Sequence, residues 1–234
     1  MTPTLTILMV LTSHSMVGDT GKHTGVWFEE LATPYYEFVD AGAKVEIVSI
    51  DGGNVPIDPA SLKPAGENPP DVERFLNDTA AMGKIKQSGN VSHVNAGDYD
   101  AIFLPGGHGT MWDLPTSTAL SHLLSDAWAK GKVLGAVCHG PAGLVNVRDT
   151  DGKSVVAGRR VAGFSDSEER AAGLDKAVPF LLETRLRELG AKYERGPDFT
   201  SFAVTDGRLV TGQNPQSSQA TAHSLLEAIR NNKQ

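Results

Sequence analysis

The stretch "GAVCHGPAGL", residues 135–144, contains the one cysteine of the chain and ends an apolar run. The small and β-branched residues before Cys138 predict a buried strand, and the Gly-Pro pair after His139 predicts a sharp turn. A strand that ends in such a turn and carries a nucleophile at the bend is typical of a nucleophile elbow. The stretch therefore predicts an α/β fold whose site lies at the carboxyl ends of the strands.

Helical patterns alternate with apolar runs through the first two thirds of the chain. The alternation predicts a doubly wound, mostly parallel sheet of the flavodoxin-like type, with helices on both faces. We expect Pro34 to kink the first helix. The predicted strands are residues 4–13, 43–50, 99–107 and 132–140, and the predicted helices are residues 27–42 and 116–131.

The last third continues in the same manner. We expect a helix over residues 176–191, a strand pair around an Asp-Gly turn within residues 202–215, and a closing helix over residues 215–232. These elements complete one predicted domain over residues 1–234.

Residues 51–95 interrupt the alternation because they are rich in proline and glycine. They predict a surface insertion of loop and short helix, the helix lying near residues 71–82. Such an excursion forms a lid or a partner surface in some α/β domains, and in others it is a solvated loop without a role.

The composition is that of a soluble globular protein, and we expect a cytoplasmic location. The formal net charge is −7, which argues against a protein that binds nucleic acid through its phosphates. No apolar stretch has the roughly 20 residues of a membrane helix, and the first ten residues lack the features of a secretory signal. One cysteine allows neither an internal disulfide nor a multi-cysteine zinc site.

The position of Cys138 has two interpretations. At an elbow followed by a helix, backbone N–H groups and the helix dipole lower a thiol pKa, which predicts a reactive thiolate. The alternative is a small buried hydrophobe, a common role of free cysteine. The Cys-His-Gly-Pro context favours the reactive thiol.

A second predicted strand end carries the sequence "PGGHG", in which Gly106 and Gly107 offer unhindered N–H groups for an oxyanion site. His108 follows as a candidate substrate contact or a structural hydrogen-bonding residue. The remaining histidines show no metal-binding spacing, and the loop lacks the G-x-G-x-x-G spacing of a dinucleotide site. We therefore expect neither a metal nor a cofactor.

Four segments together resemble one known family over essentially the whole chain. They are "AVCHGPAGL", "GVWFEELATPYYEFVDAGAKVEIVSIDGG", "DYDAIFLPGGHGTMWDLP" and "LVTGQNPQSSQATA". The chain resembles the ThiJ/PfpI superfamily, related to class I glutamine amidotransferases, and within it the glyoxalase III branch with chaperone-like members.

This resemblance implies roles for particular side chains. Cys138 would be the nucleophile, His139 its neighbour, and Glu30 the carboxylic acid that reaches the sulfur. Glu30 fits the family pattern better than Glu29 because the acid stands four residues before a proline, here Pro34. Burial beside sulfur should keep this acid neutral.

The resemblance also implies a third acid, which orients the histidine and lies in "GFSDSEERAAG". Glu169 is the choice, and Glu168 and Asp166 are the alternatives, because the spacing from the cysteine varies within the family.

The implied activity is the conversion of methylglyoxal and water to D-lactate without glutathione, by a homodimer. The thiolate adds to the aldehyde, a proton moves between the two adjacent carbons through an enediol, and water hydrolyses the thioester. The ketone carbon accepts the two electrons that the aldehyde carbon loses, so the reaction needs no redox cofactor.

Two other functions fit the same residues. One is the repair of early glycation adducts on proteins or nucleotides by the same thiol. The other is a stress chaperone or a redox sensor, in which Glu30 stabilises an oxidised Cys138. Replacement of Cys138 by alanine separates these classes, since it abolishes enzymatic turnover and spares pure chaperone function. Proteolysis and amide transfer are disfavoured because no partner domain for ammonia is present.

Overall fold

The computed structural model describes residues 4–233, and the strands below are those of that range. In chain order they are β1 (Thr6–Leu11), β2 (Lys44–Ser49), β3 (Gly89–Asn90), β4 (Ala101–Leu104), β5 (Val133–Val137), β6 (Arg160–Val161), β7 (Lys192–Tyr193), β8 (Ala203–Asp206) and β9 (Leu209–Gly212). The α-helices are α1 (Phe28–Asp40), α2 (Pro70–Asn77), α3 (Thr79–Lys86), α4 (Thr110–Asp113), α5 (Thr118–Ala129), α6 (Asp166–Ala171), α7 (Leu182–Glu188) and α8 (Ser218–Asn232).

Within residues 4–233 the central sheet has seven strands in the order β3-β2-β1-β4-β5-β9-β8. All neighbouring strands are parallel except β8 and β9, which form an antiparallel pair. Strand β5 lies between β4 and β9, and every residue of β5 is buried. The end of β5 is therefore at the centre of the sheet edge where parallel strands terminate, which is where sites form in such folds.

Helices cover the sheet on both faces. Helix α1 packs against α8, which lies on β5 and β9, while α5 packs on β4 and β5. The predicted doubly wound α/β fold is confirmed. Strands buried from both sides are continuous apolar runs, which explains why the sequence pattern located them well.

The helix predicted over residues 176–191 is much shorter in the structure. Only Leu182–Glu188 is helical, and the residues before it form turns. Pro179 explains why residues 176–178 are not helical, because proline lacks the N–H of a helical hydrogen bond and disfavours helical geometry in the residue before it. Pro34, in contrast, lies inside α1, which continues through it.

The excursion at residues 51–95 is anchored to the rest of the molecule. Its predicted single helix is two helices, α2 and α3, which meet at Asp78. The Asp78 carboxylate caps α3 through the Ala81 N–H and accepts a hydrogen bond from the Tyr36 hydroxyl of α1. Helix α2 packs on α1, and β3 pairs with β2. Through these contacts, residues 51–95 add β3 to the edge of the sheet and place α2 against α1.

Among residues 4–233, no helix combines the length and the apolar character that crossing a membrane requires.

Candidate active site

Cys138 occupies a strained bend directly after β5. Its φ is 60°, a left-handed value that is uncommon for residues other than glycine. Two hydrogen bonds hold the bend, from the Cys138 N–H to the Gly212 carbonyl at 3.0 Å and from the Phe164 N–H to the Cys138 carbonyl at 2.8 Å. A Cβ at Gly140 would lie 2.1 Å from the Leu104 carbonyl oxygen, so only glycine fits there. This geometry is that of a nucleophile elbow.

Glu30 projects from the first turn of α1 and is fully buried. Its Oε2 accepts a hydrogen bond of 2.6 Å from the Gly106 N–H, and its carboxyl group lies within hydrogen-bonding reach of the Cys138 thiol. The other oxygen, Oε1, has no hydrogen-bond partner in the described part of the chain. Burial raises the pKa of Glu30 to about 8, so the acid is neutral at pH 7, as we predicted.

His139 links the thiol to a second acid. Its Nδ1 lies 3.3 Å from the Cys138 sulfur, and its Nε2 lies 2.6 Å from Oε2 of Glu169. The Nε2 of His108 lies 2.6 Å from the other oxygen of the same carboxylate. Burial opposes ionisation of Glu169, but the two imidazoles overcome it and lower its pKa.

The protonation of His139 follows from this arrangement. Burial, and secondly the neighbouring His108, lower the pKa of His139, which is therefore neutral at pH 7. A carboxylate only accepts hydrogen bonds, so His139 donates to Glu169 from Nε2. Its Nδ1 then presents a lone pair to the Cys138 thiol, as a general base for the sulfur requires.

The prediction that the pKa of Cys138 is depressed is wrong. Burial raises the pKa of this thiol, and the charge of an ionised Glu30 raises it further. The helix that was expected to lower it is only a 3₁₀-helix, Gly140–Leu144, whose short length provides little dipole. The sulfur is therefore a protonated thiol at neutral pH, with the Nδ1 of His139 beside it.

The structure places Glu169, rather than the two alternative acids, at His139. The carboxylate of Glu168 makes no hydrogen bond to His139 but accepts hydrogen bonds from the N–H groups of Ser165 and Phe199. Asp166 accepts from the hydroxyl of Thr184. The capping box of Ser165 and Glu168 fixes the start of α6 and thereby the direction of Glu169.

The two loop glycines have different surroundings. The N–H of Gly106 donates to Glu30, so the prediction that it lines the oxyanion site is corrected. The N–H of Gly107 meets no acceptor among residues 4–233, and the N–H of His139 faces the Cys138 sulfur. Gly107 has a φ of 105°, and a Cβ there would lie 2.1 Å from the Gly25 carbonyl oxygen. These two N–H groups are the candidate oxyanion donors.

His108 lines the cavity beside the sulfur, but its Nε2 is held by Glu169. Thr110 was not predicted as a site residue from the sequence. Its hydroxyl group links the two loops by donating to the carbonyl oxygens of Gly107 and His139. A threonine after a glycine loop has no distinguishing pattern.

A cavity of about 210 Å³ opens in front of Cys138. Aromatic rings form much of its wall, and no lysine or arginine is among its described lining residues. It is lined by Trp27, Glu29, Glu30, Gly107, His108, Cys138, His139, Phe164, Ala172, Phe199, Pro215 and Gln216. Its small volume and apolar wall suit a small uncharged ligand.

His108, His139 and Glu169 are the residues that could hold a metal, since their donor atoms lie within 4.8 Å of one another. Those donor atoms are engaged with each other in the two hydrogen bonds to Glu169. A bound cation would have to replace both bonds, and the expectation of a metal-free site stays a prediction.

Known proteins resemble the chain over nearly its whole length. It is 34% identical to a glutathione-independent glyoxalase, HSP31 of Saccharomyces cerevisiae, over 96% of this chain and 98% of that protein. It is 33% identical to glyoxalase 3 of Candida albicans, over 97% and 99%.

Solved structures are also similar to the chain over nearly its whole length. The Rapid Encystment Protein 24 KDa of Francisella tularensis superposes with a TM-score of 0.91 at 41% identity, covering 96% of this chain and 99% of that one. Glyoxalase III of Candida albicans superposes with a TM-score of 0.87 at 32% identity, covering 96% and 97%. The DJ-1/PfpI family model matches residues 24–228, and the chain belongs to that family.

Proposed function

We propose that the protein is a glutathione-independent glyoxalase that converts methylglyoxal and water to D-lactate. The observation that carries this proposal is the position of the Cys138 thiol between a neutral Glu30 and the Nδ1 of His139. Such a site holds a nucleophile, its base and a separate acid around one small cavity. The names of the relatives from Saccharomyces cerevisiae and Candida albicans support the same reaction.

The first step is addition of sulfur to the aldehyde carbon. As the carbon–sulfur bond forms, the thiol proton passes to Nδ1 of His139, and Glu30 gives its proton to the carbonyl oxygen. The N–H groups of Gly107 and His139 stabilise the oxygen as its charge develops. The product is a hemithioacetal beside an imidazolium and the carboxylate of Glu30.

The second step moves hydrogen between the two carbons of the substrate. The Glu30 carboxylate removes the proton from the former aldehyde carbon while the imidazolium protonates the ketone oxygen, which gives an enediol. Glu30 then delivers a proton to the second carbon, and His139 accepts the hydroxyl proton of the first. A lactoyl thioester on Cys138 results, with the aldehyde carbon oxidised and the ketone carbon reduced.

Hydrolysis restores the enzyme. The hydroxyl of water adds to the thioester carbon, its proton goes to Glu30, and the imidazolium protonates the departing sulfur. Atoms balance as methylglyoxal plus water gives lactic acid, and each residue returns to its starting protonation state.

The test is incubation of the protein with methylglyoxal in the absence of glutathione, followed by a chiral lactate assay. We expect D-lactate from the wild type, and a loss of more than about 10³-fold in kcat for Cys138→Ala. Lys153→Ala is the control for the preparation of the variants, because Lys153 is exposed and does not line the cavity. Undiminished D-lactate production by Cys138→Ala would overturn the proposal.

A further inference from the structure

Phe199 is an unusual residue at the mouth of the cavity. Its φ is 53°, so its backbone is left-handed, which is rare for an aromatic residue. It is 42% exposed, and it is the one large hydrophobic residue of the described chain that is that open to solvent. Its side chain nevertheless lines the cavity in front of Cys138. A strained, exposed aromatic residue at a ligand cavity indicates a function.

A buried carboxyl group that the proposed reaction does not use holds Phe199 in place. Oε1 of Glu168 accepts hydrogen bonds of 2.8 Å from the Phe199 N–H and from the Asn214 side-chain amide. The same amide donates to the Thr200 carbonyl. Oε2 of Glu168 accepts from Ser165, and Glu168 is fully buried. The loop that carries Phe199 is therefore tied to the start of α6, one residue before Glu169.

The ring of Phe199 also connects with the interior of the site. It makes an edge contact with Phe164, their ring centroids being 6.1 Å apart. The Phe164 ring lies 4.3 Å from the imidazole of His139. Phe199, Phe164 and His139 thus form a row of three rings that runs from solvent to the sulfur.

We propose that Phe199 is a specificity-determining residue, which limits the site to α-oxoaldehydes with a small aliphatic group, and that Glu168 is its positioning residue. This inference rests on the proposed dicarbonyl chemistry at Cys138. A bulky group on the carbonyl carbon has to pass or displace the Phe199 ring, and the Glu168 hydrogen bond to the Phe199 backbone resists that displacement.

The first experiment compares methylglyoxal with phenylglyoxal, an α-oxoaldehyde with an aromatic group. Phe199→Ala should raise the ratio of kcat/KM for phenylglyoxal to that for methylglyoxal by about tenfold or more, and Phe199→Leu should raise it less. Phe180→Ala is the matched control, because Phe180 packs on the core without lining the cavity, and it should leave the ratio unchanged. An unchanged ratio in Phe199→Ala would overturn the inference.

Glu168→Leu tests the positioning role, because leucine has no oxygen that could accept the hydrogen bond from the Phe199 N–H, whereas glutamine would keep one. It should shift the same substrate ratio in the same direction, and adding it to Phe199→Ala should shift the ratio no further, because both changes act through one ring. If Glu168 only stabilises the fold, the variant will melt at a lower temperature while its substrate ratio stays that of the wild type. That result would contradict the positioning role.

Alkylation of Cys138 separates this inference from the proposed function. Phe199→Ala should accelerate the reaction with N-phenylmaleimide relative to that with iodoacetamide, again by about tenfold. If the wild type makes no lactate but this ratio rises, the proposed function fails and the entrance role of Phe199 stands. If lactate forms and neither ratio changes in Phe199→Ala, the entrance role fails alone.

Discussion

The carboxyl group of Glu30 accepts one hydrogen bond from Gly106 and leaves its other oxygen without a partner in the described structure. Burial keeps this acid protonated at neutral pH, and Cys138 beside it is also protonated. At neutral pH, therefore, Glu30 is not a carboxylate base and Cys138 is not a thiolate. In the proposed reaction, the neutral imidazole of His139 accepts the thiol proton.

The pH dependence of kcat/KM should report these groups. Because the addition step uses protonated Glu30, kcat/KM should fall as pH rises through about 8, the pKa of Glu30. Because it also uses neutral His139, whose pKa is lowered by burial, activity should persist below the ordinary histidine range. Initial rates between pH 5 and pH 10 check this, and a rate that still rises above pH 9 would indicate a reaction driven by the thiolate alone.

Alkylation tests the resting state of the sulfur. A buried thiol with a raised pKa reacts through its small thiolate fraction, so the iodoacetamide rate at Cys138 should rise about tenfold per pH unit from pH 6 to pH 8. Mass spectrometry of the labelled protein measures this rate without interference, since Cys138 is the one cysteine. A rate that is constant over this interval would show a resting thiolate and contradict the account.

At the scale of elements, the turn after β5 lies so close to the end of β4 that a side chain between them would force the two apart. A Cβ at Gly140 would lie 2.1 Å from the Leu104 carbonyl oxygen, a backbone atom that has no freedom to move away. The elbow therefore needs glycine for contact distance rather than for flexibility. The same approach brings the Gly107 N–H and the sulfur to one cavity.

Gly140→Ala should consequently destabilise the protein by about 3 kcal/mol, the upper end of the range expected when a side chain forces a backbone shift in a packed interior. Gly83→Ala is the matched control, since Gly83 lies within α3 and a Cβ there meets nothing within 4 Å. The control should be neutral or stabilising by up to about 1 kcal/mol. Denaturant titration compares the two, and equal midpoints would contradict the packing argument.

The elements that the sequence located well are those whose signal is local. The strands before Cys138 and Gly106 are continuous apolar runs, and the Cys-His-Gly-Pro turn follows directly from its residues. The excursion at residues 51–95 follows from its composition, but the division of its helix at Asp78, which caps α3, does not follow from the helical pattern.

The parts of the site that the sequence missed depend on distant contacts. The N–H of Gly106 could bind an oxyanion or an acid, and only the packing of α1 against the loop decides that it binds Glu30. Phe199 takes its left-handed backbone through a hydrogen bond to Glu168, 31 residues away. The thiol pKa was misjudged because burial, which a sequence does not show, outweighs the short helix after the elbow.

At the scale of the whole molecule, charge distinguishes substrate from product. The chain has a net charge of −7, and the described lining of the cavity contains carboxyl groups but no lysine or arginine. Methylglyoxal is neutral and lactate is an anion, so the cavity should bind the substrate and release the product. Burial, and secondly Asp71, raise the pKa of Glu29 at this cavity, while Lys63 opposes them.

Glu29→Lys should therefore increase inhibition by D-lactate, with a smaller increase for Glu29→Gln, and added salt should reduce the difference. Inhibition constants measured against methylglyoxal check this. The same constant in all three proteins would show that charge at the cavity mouth does not control product release.

The central claim is that an acid buried beside the sulfur moves the proton that turns an α-oxoaldehyde into a hydroxy acid. The most direct measurement is kcat for D-lactate formation by Glu30→Gln, alongside its melting temperature. The account predicts a loss of about 10³-fold or more in kcat in a protein that remains folded, because glutamine fills the same space but neither gives nor takes the proton. D-lactate formation near the wild-type rate by folded Glu30→Gln would contradict the account.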